Sequence, residues 1–325
     1  ASNNNTAAPQ FSIIYDTAPP AAPVVSSITT DTGSNGADEI TSDNTLSING
    51  TAEANSSVEV FIGATSLGTT TADGTGNFSF DHTATTLADG TYSITAKATD
   101  AATNTGATSA ALSVTVDTAA PAMPVLTTIT SDSGADGTDE LTNDNTLMFN
   151  GTAEANSSVE VFIGGTSIGA TNADGAGNFS FDHTGTTLAD GTYSVTAKAT
   201  DVAGNTGATS AALPVTVDTG APTITISVFA TNDVVDVLEQ AEDQTLSGTT
   251  TGAEDGQVVT ATLNGKTYNA TVSSNAWSVT IPKADVGAID ATETITADVT
   301  DKAGTSATQA TRAITRLDAS VVTSV

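Results

Sequence analysis

NGTAEANSSVEVFIG, residues Asn49 to Gly63, recurs without a change at Asn150 to Gly164, an offset of 101 residues. Identity of this length at a fixed spacing is internal repetition, and a period near 100 residues is the size of a whole domain. The linkers keep the same spacing. Asp16-Thr-Ala-Pro, Asp117-Thr-Ala-Ala-Pro and Asp218-Thr-Gly-Ala-Pro stand 101 residues apart, and a further Asp follows at 318 after 100. The expected units are therefore residues 17–117, 118–218 and 219–318. Phe11 to Asp16 falls in register with Leu112 to Asp117, so residues 1–16 read as the last strand of a preceding repeat, and 319–325 as the start of the next linker.

Within a repeat, short segments rich in Val, Ile, Thr and Phe alternate with Gly, Asp and Asn, and no segment keeps helical spacing over three turns. In the second repeat this predicts strands near 124–130, 146–151, 158–164, 166–171, 177–182, 191–199 and 207–217. Seven strands in about 100 residues predict an all-β fold of tandem immunoglobulin-like β-sandwich domains in an extended array. Leu87-Ala-Asp89-Gly-Thr-Tyr92 and Leu188-Ala-Asp190-Gly-Thr-Tyr193 have the form of a tyrosine corner, with Ile94 and Val195 where antibody domains place a cysteine. The third repeat diverges. Glu293 stands at the tyrosine position, and Trp277, aligned on Phe179, is its expected core aromatic.

The 325 residues carry 37 acidic against seven basic side chains, a formal charge of -30. Such a chain repels nucleic acid and anionic membranes, so neither is an expected partner. Cations are the natural counterpart. With no cysteine there are no disulfides and no thiolate metal sites, which leaves metal as a source of rigidity for compact extracellular domains. No stretch approaches the roughly 20 apolar residues of a membrane span, and residues 1–20 lack the form of a signal peptide. The Asn-x-Ser/Thr sequons are those that a chain rich in Asn and Thr produces by chance.

The DTxxP linkers, the GTAEANSSVEVF segment, the ATDxAGNTG loop and SGTTTGAEDGQVVTATLNGKTY in the third repeat resemble the bacterial Ig-like repeats of giant biofilm and host-attachment adhesins. The resemblance covers essentially the whole chain. It implies a secreted, cell-surface protein exported by a type I system. Its repeats would form a monomeric stalk that touches its own neighbouring repeats and projects a distal ligand-binding region. It also implies calcium at domain junctions.

Calcium takes six to eight oxygens at roughly 2.3 to 2.6 Å, so carboxylates clustered on loops are the signal sought. The loop after the first strand supplies Asp31, Asn35, Asp38 and Glu39 in one repeat and Asp132, Asp136, Asp139 and Glu140 in the next, with Asp43 and Asp144 following. Its spacing resembles an EF-hand loop without the terminal bidentate Glu or the flanking helices. Sandwich topology places this loop where the chain leaves a domain and the F–G loop, which holds Asp100 and Asn104 in one repeat and Asp201 and Asn205 in the next, where it enters the next domain. One seam would gather Asp31, Asp38 and Asp43, then Asp117, Asp201 and Asn205, with Asp89 a further candidate at the exit pole. The next would use Asp132, Asp136, Asp139, Asp218 and Asp301, and an upstream seam Asp16, Asp100 and Asn104. Asp233 and Asp236 complete the candidate set. Asp and Asn are also turn residues that bond their own backbone. That reading accounts for Asp89 and Asp190 at the corner and for Asp73 and Asp174 in Asp-Gly hairpins. Four carboxylates in one loop exceed what a turn requires.

Other classes are disfavoured. His82 and His183 share one repeat position, and no nucleophile elbow, zinc-protease helix or phosphate loop occurs, so no catalytic site is expected. A repeat that itself binds a glycan or host protein is the alternative, with the Glu254-Asp255 loop or Asn264 to Tyr268 of the third repeat as the place to look. Leu213 to Val217 lacks the glycine of a sortase signal and reads as a strand.

Overall fold

A computed structural model describes residues 15–317. The strand expected before Asp16 and the linker residue at 318 lie outside them, Tyr15 and Asp16 apart. The chain folds as tandem immunoglobulin-like β-sandwiches, each a three-stranded sheet facing a five-stranded one. In the first, β1 (Val24–Thr29), β3 (Ser47–Thr51) and β6 (Asn77–Asp81) form one sheet in the order β1-β3-β6. The other runs β2-β8-β7-β4-β5, from β2 (Ile40–Thr41), β4 (Ser57–Ile62), β5 (Thr65–Thr71), β7 (Gly90–Thr99) and β8 (Leu112–Val116). The second repeats this with β9 (Val125–Ile129), β11 (Met148–Thr152) and β14 (Asn178–Asp182) against β10 (Leu141–Thr142), β12 (Ser158–Ile163), β13 (Thr166–Asn172), β15 (Gly191–Thr200) and β16 (Leu213–Val217).

Each sandwich thus has eight strands where the periodicity predicts seven. The extra ones, β2 and β10, pair parallel with the last strand, Ile40 opposite Thr115 and Leu141 opposite Thr216. Two residues are too few to show a period in sequence. They carry the chain from one sheet to the other, and the acidic loop is the crossing. The last strand starts at Leu213, later than expected, because the chain before it is tied through Ser210, whose Oγ accepts from Ala197 N at 2.9 Å.

Alternation sets the core. Val58, Val60, Ile94, Ala96, Val114 and Val116 face Ile48, Phe78 and Phe80 between the first pair of sheets, all buried. The tyrosine corners close as expected: Tyr92 donates to Ala88 O at 2.6 Å and Tyr193 to Ala189 O at 2.7 Å. Ile94 and Val195 fill the inter-sheet space beneath. His82 and His183 stack on Phe80 and Phe181.

The third sandwich sets β17 (Thr223–Ile224), β19 (Gln244–Thr251) and β22 (Ala276–Ile281) against a sheet ordered β18-β24-β23-β20-β21. These are β18 (Val234–Val235), β20 (Val258–Leu263), β21 (Lys266–Thr271), β23 (Thr292–Val299) and β24 (Ala310–Arg316). Trp277 is buried in its core, and two short helical turns, Glu239–Ala241 and Lys283–Val286, replace loops of the first two. By packing, the chain divides into two compact units. One holds the first sandwich with Glu154–Ser158 and Lys198–Ala208 of the second; the other holds the remainder of the second with the third.

Candidate cation-binding seams

The acidic crossing loop is bracketed in each repeat by two strained residues, Thr30 and Glu39 in the first and Ser131 and Glu140 in the second. Glu39 and Glu140 have φ of 59° and 54°, a left-handed conformation that costs a non-glycine residue on the order of 1 kcal/mol or more. Asp31 Oδ2 accepts Glu39 N and Asp132 Oδ2 accepts Glu140 N, both at 3.0 Å. The partner oxygens, Asp31 Oδ1 and Asp132 Oδ1, are buried without a hydrogen-bond partner. Burial pushes the Glu39 carboxyl above its ordinary range, a bond from Ile28 N partly opposing it and the charges of Asp31 and Asp38 adding to it. Glu140 is raised in the same way by burial, then by Asp132, Asp139 and Asp136.

The same loop docks on the next domain. Thr32 Oγ1 donates to Ala203 O and Ser133 Oγ to Ala303 O, each at 2.5 Å, so one contact recurs at both seams. Gly33 and Gly134, at φ of 94° and 91°, let the backbones meet. A Cβ on Gly33 would collide with Val202 O, and one on Gly134 with Lys302 O.

At the entry pole a second acidic group forms. Asp201, 5 % exposed, accepts Asn205 N on Oδ1 and Asn205 Nδ2 on Oδ2, both at 2.9 Å. The same amide donates to the linker carbonyl, Asp117 O, at 2.7 Å. Asn104 likewise joins Asp100 Oδ2 at 2.8 Å to Asp16 O at 3.2 Å. Glu154, which the sequence reading passed over, belongs here: burial raises its carboxyl, and the charges of Asp201 and Asp117 add to it. Asp301, Asp218 and Glu254 make the matching group, Asp301 being raised by burial and, after a bond from Thr305 N that opposes it, by the other two carboxylates. Glu154 lies in the repeated GTAEANSS segment just before β12, at the entry pole, and that position was the available signal.

The expected seam therefore separates into a crossing-loop group and an entry-pole group, and several members are engaged elsewhere. Asp43 and Asp144 cap Thr45 and Thr146 within their own turns. Asp89 and Asp190 hold the linker, each accepting the N–H and hydroxyl of Thr118 or Thr219. Asp117 and Asp218 turn their Oδ1 to Ala119 N and Gly220 N at 3.0 Å. Asn35 is exposed, and Asp38, Asp136 and Asp139 bond the backbone of their own loops. Asp73 Oδ1 collects Thr75 N, Thr75 Oγ1 and Asn77 N, which hold its carboxyl at about 2.

In the third sandwich the crossing loop is cut short. Thr30 and Glu39, both at positive φ, enclose residues 31–38, whereas Ala230 and Asp233, also at positive φ, enclose only 231 and 232. Asp233 takes the place of Glu39, since its carbonyl accepts Thr315 N as that of Glu39 accepts Thr115 N. Its carboxylate is bound by both Nε and Nη2 of Arg312 at 2.5 Å, and that guanidinium holds it below the usual carboxylate range. Asp236 caps the turn at Leu238 and Glu239.

The unpartnered atoms Asp31 Oδ1, Asp132 Oδ1, Asp301 Oδ2 and Thr305 Oγ1 are all hard oxygen donors, the chemistry that calcium selects. Among the described residues, no three His, Asp or Glu side chains lie close enough together to hold an ion by themselves. An ion here would draw on main-chain carbonyls and water as well.

The bacterial Ig-like domain model matches residues 18–118 and 120–219, and the model of its group 3 matches 177–312. Among solved structures, the chain is similar to a calcium-stabilised adhesin with which an Antarctic bacterium reaches out and binds ice. The identity is 29 % over 91 % of this chain and 74 % of that one, with a TM-score of 0.41. A 1.5-MDa bacterial ice-binding adhesin, studied for host cell surface retention, is 26 % identical over 93 % of this chain and 99 % of its own, with a TM-score of 0.39. A tetra-tandem repeat from the extending region of a large adhesion protein is 22 % identical over 92 % and 75 %, with a TM-score of 0.33. Comparison with curated protein sequences gives no match.

Proposed function

The chain belongs to the bacterial Ig-like domain family, and from that premise we propose that it is a stalk segment of a secreted bacterial cell-surface adhesin. Its work is mechanical: to carry a distal ligand-binding region away from the cell, stiffened by calcium at the domain junctions. The observation that carries this reading is the recurrence of one docking contact, Thr32 on Ala203 and Ser133 on Ala303, at successive seams. A domain built to bind a ligand has no need to repeat its contact with its own neighbour. A stalk does.

The chain's own residues supply the stiffening. The hydroxyls of Thr32 and Ser133 fix the crossing loop on the next F–G loop, Asp89 and Asp190 clamp the linker, and Asn205 ties Asp117 O to Asp201. Calcium, when bound, neutralises carboxylates that otherwise repel across the seam. Asp31 with Glu39, Asp132 with Glu140, and acids of the Asp117–Asp201–Glu154 and Asp218–Asp301–Glu254 groups would share it with main-chain carbonyls and water, since among the described residues no three acids stand close enough to hold it alone.

A glycan-binding role finds little support in the aromatic surface. The single Trp277 is 2 % exposed, and Tyr268, in the segment most suited to present a ring, turns its hydroxyl to Asp285 Oδ2 at 2.8 Å. The test is small-angle scattering of the whole chain in calcium and in chelator. The stalk reading expects a larger maximum dimension with calcium; an unchanged profile together with capture of a glycan by this chain alone would overturn it.

A further inference from the structure

An asparagine side chain meets least resistance from the residue after it when that residue is glycine, which brings no Cβ against its own backbone nitrogen. Asn-Gly occurs at four places, Asn35-Gly36, Asn49-Gly50, Asn150-Gly151 and Asn264-Gly265. The fold holds three of them. Asn49 and Asn150 lie in β3 and β11 with a strand on either side, opposite Ser27 and Ser79 in one sheet and Thr128 and Ser180 in the other. Their amides donate to Thr29 Oγ1 at 2.8 Å and Thr130 Oγ1 at 3.2 Å, and the rings of Phe78 and Phe179 cover the glycines. Asn264, at φ of 49° in the tight turn between β20 and β21, donates its amide to Ala288 O at 2.7 Å.

Asn35 has no such hold. It is exposed in the crossing loop, outside any strand, and among the described residues none hydrogen-bonds to its side chain or to the N–H of Gly36. A Cβ on Gly36 would come no closer than 3.5 Å to Asp31 O, so the backbone around that nitrogen is uncrowded. The second repeat has Asp136-Gly137 in the same place, and there the carboxylate is tied down: Asp136 Oδ1 accepts Thr138 N at 3.3 Å and Thr138 Oγ1 at 2.8 Å. Ala37 stands where Thr138 does, so the first loop lacks that hydroxyl.

We propose that Asn35 is a site of spontaneous deamidation, through which the first crossing loop acquires after folding the negative charge that the second carries in its sequence. The Gly36 nitrogen, on losing its proton, attacks Asn35 Cγ. A C–N bond forms there and closes a succinimide ring, while the bond from Cγ to the side-chain nitrogen breaks and ammonia leaves with the proton. Water then opens the ring. Cleavage between Cγ and the nitrogen gives aspartate; cleavage between the main-chain carbonyl carbon and the nitrogen gives isoaspartate, whose main chain runs through Cβ and Cγ. Solvent water is the one co-reactant. The new charge falls in the loop that already holds Asp31, Asp38 and Glu39 and that docks on the next domain through Thr32.

Peptide mapping by mass spectrometry tests this on the whole folded chain, sampled over time in mildly alkaline buffer. Exchange of NH2 for OH is expected to accumulate at Asn35 at least about tenfold faster than at Asn49, Asn150 or Asn264, since each ~1.4 kcal/mol needed to open a strand or turn slows the reaction about tenfold. Isoaspartate should appear at the same position, detected by protein isoaspartyl methyltransferase. Gly36→Ala should slow the exchange at Asn35 and leave the calorimetric melt unchanged, because the added methyl group has room. Absence of exchange at Asn35, or one common rate at all four pairs, overturns the proposal, and neither result depends on a variant. A Gly36→Ala chain that folds and converts as fast as the wild type overturns it as well.

Discussion

Glycine at position 248 is where one residue governs a whole core. Gly248 lies directly opposite Trp277 in the sheet, and a Cβ there would sit 2.6 Å from Trp277 Nε1 and collide with Thr225 O. Gly50 under Phe78 and Gly151 under Phe179 repeat the arrangement, with the ring covering a strand position that has no side chain of its own. Gly248→Ala is therefore expected to destabilise the third sandwich by about 1–3 kcal/mol, the range for overpacking a filled core. Because the chain has a single tryptophan, a denaturant melt followed by its fluorescence reports that sandwich alone. An unshifted midpoint would show that the ring is free to move aside. Thr103 carries the opposite error. It holds φ of 72° where Gly204 and Gly304 stand in the other loops, so Thr103→Gly should stabilise the first sandwich by about 1 kcal/mol, read by calorimetry. Trp277 as the partner of Phe179 was legible in sequence from alignment of the repeats. The strain at Thr103 was not, because a turn residue's φ leaves no trace in its neighbours.

The crossing loop is the element that differs most between repeats, and Arg312 is its counterpart in the third. Arg312 lies three residues before Thr315 as Leu112 lies three before Thr115, so it occupies a position that is apolar in the first repeat. The shortened loop brings Asp233 onto it, and the side chains of both are 27 % exposed. Arg312→Leu would leave Asp233 with only Phe229 N as donor. A loss of about 2 kcal/mol in the third sandwich is expected, in line with removing charged hydrogen bonds from a mostly covered carboxylate, and tryptophan fluorescence again reads it. Elsewhere the loop acts through its backbone. Gly33→Ala must move Val202 O, so it is expected to release the crossing loop from Ala203 and expose residues 30–39 to limited proteolysis, with the sandwich melts little changed. A protected loop in that variant would mean that the contact absorbs the methyl group. The acidity of these loops was plain in the sequence, and so was their placement at domain ends. Which carboxylates meet was not. Asp43 and Asp144 are held by threonines of their own turns, Asp89, expected to bond its own corner, instead takes Thr118 of the linker, and Glu154 acts on Asp201 and Asp117 from a distant loop; a spacing rule does not distinguish a side chain that bonds its own turn from one that reaches across a seam.

At the scale of the molecule, the carboxylates whose titration the fold displaces fall into two groups that respond to pH with opposite sign. Asp100, Asp190, Asp233 and Asp285 are held below the usual range by an asparagine amide, by threonine backbone and hydroxyl groups, by an arginine and by a lysine respectively. Their contribution is present at neutral pH and is lost as pH falls through the folded values, below the ordinary range near about 4. Glu39, Glu140, Glu154 and Asp301 are raised, burial first and neighbouring acids after it. In these the folded state binds the proton more tightly than the unfolded chain, so their ionisation destabilises the fold as pH rises through the raised values. In chelator, the melting temperature should therefore climb as pH is lowered from neutral toward about 5 and fall only when the depressed group begins to protonate. Saturating calcium should invert the upper part of that profile. The ion needs the ionised forms that the proton removes, and mass action then favours the fold most where the raised carboxylates are fully charged. Scanning calorimetry across pH in calcium and in chelator gives two curves that converge on acidification if the seam carboxylates are the ligands. Curves that stay parallel would place the metal on other carboxylates and reduce the seam acids to surface charge.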